Sequence, residues 1–186
     1  MPFPDHFALL APFYEKLIPL RDAEALVRYL ALPVDGPILD AGGGTGRVAA
    51  ALREHAPLVV VADESLSMLR QAARKDGLAP LGAHTESLPF PKDTFPRILM
   101  VDALHHVADQ QRTARELWRV LAPGGLLVIE EPDVRRPLVK GIAVFEKLAL
   151  MRSHFLSPPH IAALFPPATA SILTDDFNAW VLIRKP

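Results

Sequence analysis

Five residues constrain this chain more than any others: Gly42-Gly43-Gly44-Thr45-Gly46. They follow the short apolar run Pro37-Ile38-Leu39-Asp40-Ala41, which reads as a buried strand. A helix-period segment running to about His55 comes next. Glycines at a strand-to-helix turn let the backbone reverse sharply and approach a ligand closely, and the following helix start offers N–H groups. A nucleoside site also needs an acid about 20 residues on, at the end of the next strand, to accept ribose hydroxyls. Asp63 lies 21 positions after Gly42 and ends the apolar run Leu58 to Ala62. Turn, helix and acid together predict a bound nucleoside cofactor. The plain alternative is a ligand-free turn with a solvated aspartate. The spacing is G-x-G-x-G, followed by Arg47 and Val48. Dinucleotide sites use G-x-G-x-x-G.

The rest of the chain alternates short apolar runs with helix-period segments, the pattern of a parallel sheet covered by helices. Further strands are expected near Ala79 to Ala83, Arg97 to Val101 and Leu126 to Glu130. Ala170–Thr174 and Ala179–Arg184, joined through Asp175-Asp176-Phe177-Asn178, read as an antiparallel hairpin. Helices are expected over Asp5 to Leu32, broken at Pro12 and Pro19, and over Ser65 to Lys75 with Gly77 as its stop. Asp109 caps a third, which Pro123-Gly124-Gly125 ends. A long apolar helical region runs from about Leu138 to Leu156. At 186 residues this is one domain. Its expected parts are a helical cap (1–36), a cofactor-binding core (37–130), acceptor-side helices (131–168) and the terminal hairpin (169–186).

Composition narrows the chemistry. Twenty basic and 21 acidic residues leave a formal charge of −1, which argues against nucleic acid as a partner. No cysteine is present, so a thiolate nucleophile, Cys-ligated zinc and iron–sulfur chemistry are excluded. The start Met1-Pro2-Phe3-Pro4-Asp5 lacks the pattern of a secretory signal, and no apolar run reaches about 18 residues. A cytoplasmic protein without a membrane span is expected, as a monomer or homodimer.

Four blocks carry a resemblance to a known family. They are Leu39 to Gly46, Val61-Ala62-Asp63-Glu64-Ser65-Leu66-Ser67-Met68-Leu69, Glu86-Ser87-Leu88-Pro89-Phe90 with Leu104-His105-His106-Val107, and Glu116 to Gly125. In this order and spacing the chain resembles class I S-adenosylmethionine-dependent methyltransferases, of the ubiquinone/menaquinone-biosynthesis branch acting on small molecules. The resemblance implies an α/β fold: a Rossmann-like, doubly wound, seven-stranded, mostly parallel sheet with an antiparallel last strand. It also implies S-adenosylmethionine as cofactor. By the same resemblance Gly42, Gly43, Gly44 and Gly46 would face the cofactor and Asp40 would help hold its methionine end. Asp63 would take the ribose hydroxyls, with Glu64, Met68, His84 and Thr85 around the adenine. Asp102 and Ala103 would line the mouth where methyl transfer occurs. The sequence departs from the family pattern twice. His84 stands where an aspartate usually meets the adenine amino group, and Glu64 where an apolar residue usually packs on the ring.

Displacement at a sulfonium requires alignment and exclusion of water, with a base only if the acceptor must lose a proton. His105 and His106, after the fourth strand, are the candidate bases. The alternative is structural: a buried His106 beside an exposed His105. Lys140, Lys147 and His154 form a polar stripe, and Phe145 belongs to the broad apolar remainder of the same region. That region is expected to serve as core and acceptor-pocket wall, with a lid or dimer contact as alternatives. Tyr14 resembles an N-terminal tyrosine that folds over the site in relatives, and Arg135 is a candidate contact for an anionic acceptor. No metal site is expected, since Asp102 and Asp109 alone are too few. The expected activity is methyl transfer to a small, apolar or aromatic acceptor. The alternatives are a non-catalytic cofactor-binding subunit and, less favoured, a nicotinamide-dependent dehydrogenase.

Overall fold

The computed structural model describes residues 23–141, 153–165 and 168–186. Seven strands form one sheet: β1 (Ile38–Ala41), β2 (Val59–Asp63), β3 (Leu78–Gly82), β4 (Phe95–Val101), β5 (Leu121–Pro132), β6 (Thr169–Thr174) and β7 (Asn178–Arg184). Their order is β3-β2-β1-β4-β5-β7-β6. Strands β1 to β5 pair in parallel, and β7 pairs antiparallel with both β5 and β6, so β7 alone is reversed. This is the doubly wound α/β sheet expected, with the reversed strand inserted before the edge.

The central strands carry almost unbroken apolar runs because both of their faces are covered. Along β1, Ile38 packs on one face and Leu39 on the other; along β4, Leu99 and its neighbours Ile98 and Met100 divide in the same way. One face receives α1 (Ala23–Tyr29), α2 (Arg47–Leu52) and α3 (Leu66–Ala72) through Leu26, Ala49, Leu52 and Leu69. The other receives α4 (Gln110–Val120) and α5 (Pro158–Ala162) through Ala114, Leu117 and Ile161. Each fully buried leucine or isoleucine contributes about 1.5–3 kcal/mol, so this two-sided cover is what holds the helices in place. Local sequence sets their starts. The Ser65 hydroxyl accepts the Met68 amide at the start of α3, and the Asp109 carboxylate accepts the Arg112 amide at the start of α4.

Two elements differ from the sequence expectation. Pro123-Gly124-Gly125 lies inside β5 and does not precede it: Leu121 is already extended and pairs with Phe95. The register then shifts between Phe95 and Arg97, as a bulge does. The Gly124 amide and the Gly125 carbonyl both bond to the backbone of Lys185, so the glycines stay in the sheet. Second, the helical region was expected to reach Leu156, but residues 153–157 are not helical. Ser157 precedes Pro158, which disfavours helix there, and the His154 amide bonds outward to the His105 carbonyl at 2.8 Å. Helix is present over 137–141. The remainder of that region, with Phe145, and the segment holding Tyr14 and the Pro12 and Pro19 breaks lie outside the described residues. Among the described residues no helix is long and apolar enough to cross a membrane.

Candidate active site

The strand order reverses between β1 and β4: the chain winds outward from β1 to β3, then returns to lay β4 on β1's other side. Loops leaving the carboxyl ends of β1 and β4 therefore diverge, and in open α/β sheets that crevice receives the ligand. The glycine loop and Asp102 both stand there.

The loop needs its glycines for two distinct reasons. Gly42 has φ +71°, and a Cβ on it would lie 2.7 Å from the Ala103 Cβ, so the loops after β1 and β4 touch at this point. Gly44 has φ +54°, and among the described residues a Cβ there would meet only Asp63 Oδ2, at 3.9 Å. On that side the described residues leave room for a ligand to approach. The loop amides, however, are bonded within the fold. Gly42 donates to Ala62 O at 2.7 Å and Gly46 to Gly43 O at 2.9 Å. Gly44 donates to Asp63 Oδ2 at 2.8 Å. What these amides give is a tight, closed turn.

Asp63 is fixed from both sides, because its Oδ1 also accepts the Ser65 amide at 2.8 Å. Asp40 lies under the loop, 1% exposed, with Oδ2 lacking a hydrogen-bond partner among the described residues. Burial, and then neighbouring Asp63, push its carboxyl up to about 7. Glu130, at the end of β5, is buried and receives the Asn178 side-chain amide at 2.6 Å. Burial and then Asp102 push it up to about 7 as well. Asp102 itself has φ +51°, a conformation costing on the order of 1–3 kcal/mol in a non-glycine residue.

Around the adenine position expected from the sequence, the two departures from the family pattern meet. His84 Nδ1 and Glu64 Oε2 are 2.9 Å apart, each side chain about 71% exposed. Met68 and Thr85 are buried. The Thr85 hydroxyl lies 3.1 Å from that of Thr113 and ties its loop to α4.

The histidine turn is built differently from the structural alternative, which had His105 exposed. His105 is the buried one, 5% exposed, and His106 is half-buried. His105 Nδ1 lies 2.5 Å from Glu131 Oε2, while Glu131 Oε1 accepts the amides of Ala103 and Leu104 at 3.1 and 2.7 Å. The His105 ring stacks on Phe155, centroids 4.4 Å apart and 14° between planes, and lies 4.0 Å from the His106 ring. Gln110 Nε2 donates to the carbonyls of Leu104 and His154, clamping the segment after residue 152 to this turn. His106 is pushed down to about 3 by burial and then by His105, so its imidazole is neutral.

Arg135 is engaged locally: its Nη2 and Nε contact the Asp133 carboxylate at 2.7–3.1 Å. Among the described residues no cluster of three or more metal-ligating side chains occurs.

The residues a sequence reading misses are Arg47, Glu130, Glu131 and Gln110. A signal for two of them was present. Glu130 and Glu131 end an otherwise apolar strand, and adjacent strand residues face opposite ways, so two acids must serve two sides of the sheet.

Residues 39–129 match the model of a methyltransferase domain family. The chain is 38% identical over 151 residues to the ubiquinone/menaquinone biosynthesis C-methyltransferase UbiE of Syntrophotalea carbinolica, covering 73% of this chain and 64% of that one. It is 39% identical over 139 residues to the demethylmenaquinone methyltransferase of Thermus thermophilus, covering 67% and 63%. The chain belongs to the class I S-adenosylmethionine-dependent methyltransferases, in the UbiE-like branch. Among solved structures, a SAM-dependent methyltransferase of Aquifex aeolicus superposes with a TM-score of 0.76 at 17% identity, over 95% of this chain and 98% of that one, which is a likeness of fold. S-adenosylmethionine is the cofactor this family membership brings. The chain spans less than two thirds of the length of the UbiE-like relatives it matches.

Proposed function

We propose that this methyltransferase-family chain moves a methyl group from S-adenosylmethionine to a small aromatic or quinol-like acceptor, with His105 as the base. One observation carries the reading: the glycine loop, the doubly anchored Asp63 and the Glu131–His105 pair converge at one reversal point of the sheet. The residues suit the cofactor. The Gly44 and Ser65 amides hold the Asp63 carboxylate at the end of β2, the place from which an acid accepts ribose hydroxyls. The partnerless Oδ2 of Asp40 favours a cation nearby, and the open side of Gly44 lets a nucleoside approach.

The cofactor, when bound, supplies a sulfonium methyl group open to in-line displacement. The chain's share is positioning and proton handling. Glu131 Oε1 accepts two backbone amides, and its Oε2 meets Nδ1 of His105. An ionised carboxylate only accepts, so Nδ1 of His105 carries the ring proton and Nε2 is the basic nitrogen. That nitrogen takes the proton the acceptor loses as the acceptor's electron pair engages the methyl carbon. The half-buried Phe155 ring, stacked on His105, puts an aromatic group beside it, which suits a planar acceptor. The names of the UbiE-like relatives, from ubiquinone and menaquinone biosynthesis, support an acceptor of that class.

Incubation with methyl-labelled S-adenosylmethionine and a panel of hydroquinones, phenols and amines tests this. Labelled product from an aromatic hydroxyl or quinol acceptor is expected. Tight binding of S-adenosylhomocysteine by calorimetry with no product from any acceptor would replace the reading with a non-catalytic binding subunit.

A further inference from the structure

Arg47 is the first residue of α2, immediately after the glycine loop. Its side chain is only 12% exposed, yet among the described residues its guanidinium makes no hydrogen bond, and its one ion pair, to Asp102 Oδ2, is long at 3.9 Å. A guanidinium presents five N–H donors in a rigid fork, and leaving them unmatched in a largely buried position is costly. Arg47 pairs at long range with Asp102, after β4, and its charge also favours the ionised forms of Asp40, at the end of β1, and Glu130, on β5, so it acts on acids from three adjacent strands. None of them meets it in bidentate geometry. Asp40 keeps a buried, partnerless oxygen. The site thus holds a cation whose donors are unmatched among the described residues beside acidic side chains, the charge complement of a zwitterion.

We propose that Arg47 recognises the α-carboxylate of the cofactor's amino-acid head, closing a fork on its two oxygens while the neighbouring carboxylates offset the head's ammonium and sulfonium charges. The assignment rests on the cofactor reading above and adds a specificity-determining residue to it. A planar carboxylate is the ligand that satisfies a guanidinium fork with two parallel bonds. The same arrangement predicts how the site treats a cofactor lacking that group. Decarboxylated S-adenosylmethionine carries one more net positive charge and gives Arg47 nothing to accept its donors. Arg47 therefore makes the site reject it, although an acidic cradle alone would welcome the extra charge.

Calorimetric titration of the full chain with S-adenosylmethionine and with its decarboxylated form, in wild type, Arg47→Gln and Arg47→Lys, tests this. Wild type should bind the intact cofactor at least about tenfold more tightly than the decarboxylated one. Arg47→Gln should lose about tenfold or more on the intact cofactor while binding the decarboxylated form within twofold of wild type or more tightly. Arg47→Lys, a point charge without the fork, should fall between. Thermal melts establish that each variant is folded. Equal losses on both ligands would make Arg47 a structural counter-ion and overturn the assignment, as would equal wild-type affinity for the two. Failure of wild type to bind either ligand would bring down the cofactor reading itself, and the Arg47 assignment with it.

Discussion

Glu131 and His105, 26 residues apart in sequence, meet in the interior with Oε2 and Nδ1 2.5 Å apart. Their side chains are 4% and 6% exposed. The glutamate belongs to β5 and the histidine to the turn after β4, so pairing of adjacent parallel strands brings them together. The same carboxylate holds the backbone of that turn through the Ala103 and Leu104 amides. One side chain therefore fixes both where the imidazole lies and which nitrogen carries its proton.

Glu131→Gln separates those two effects. The amide oxygen can still accept the backbone N–H groups, but the amide nitrogen would donate to Nδ1 and drive the ring proton to Nε2. The base is then in the wrong tautomer. The expected result is a fall in turnover on the order of 10²–10⁴-fold, as for loss of a positioned base, with cofactor affinity within about twofold. Glu131→Asp should retain more activity than Gln, since it keeps the acceptor. Single-turnover kinetics with calorimetric binding checks this; turnover unchanged in Glu131→Gln would remove His105 from the chemistry.

How much of this was legible in the sequence depends on the range of each interaction. The strand–glycine–helix unit and Asp63 could be read because apolar period, glycine positions and a 21-residue interval are local signals. The cap at Asp109 was equally local. Pro123-Gly124-Gly125 misled, because a bulge and a loop use the same residues and only pairing with Phe95 and Lys185 distinguishes them. The burial of Arg47 was invisible, since an arginine after a glycine loop reads the same whether solvated or only 12% exposed beside Asp102. His105 was recognised as a candidate, but its burial depends on Glu131 and Phe155, from distant segments.

Asp40 should give the apo protein an inverted pH dependence. Its carboxyl is pushed up to about 7, mainly by burial. Between about pH 4 and 7 the folded state then holds a proton that the unfolded chain has released. Stability attributable to this residue is full below about pH 4 and is lost as pH rises through 7. Asp40→Asn removes that loss. The variant's advantage over wild type should grow by roughly 1–3 kcal/mol between pH 4.5 and 8 in denaturant melts, and a difference independent of pH would contradict the assignment.

His106 works in the opposite sense. Burial, followed by the neighbouring His105, pushes it down to about 3. Below about pH 6.5 the unfolded chain takes up a proton that the folded state refuses, so stability is lost as pH falls from 6.5 toward 3. His106→Gln should flatten that limb of the stability profile and leave the profile above pH 7 as it was. A wild-type slope retained in the variant would assign acid sensitivity elsewhere.

Gly42 and Gly124 form a matched pair for measuring the loop contact. Their φ values are +71° and +72°, so an alanine is conformationally strained to a similar degree at each. Of the two, the added Cβ collides at Gly42, at 2.7 Å from the Ala103 Cβ, whereas at Gly124 none of the described residues lies within 4 Å. Gly124→Ala should cost about 1 kcal/mol, the backbone term alone. Gly42→Ala should cost about 1–3 kcal/mol more, because two packed turns must move apart. It should also displace the Ala103–His105 turn from Glu131, so that turnover falls further than the loss of folded protein explains. Urea melts and turnover measured on the two variants side by side check this. Equal destabilisation, or activity loss in proportion to unfolding alone, would show that the two loops do not depend on each other.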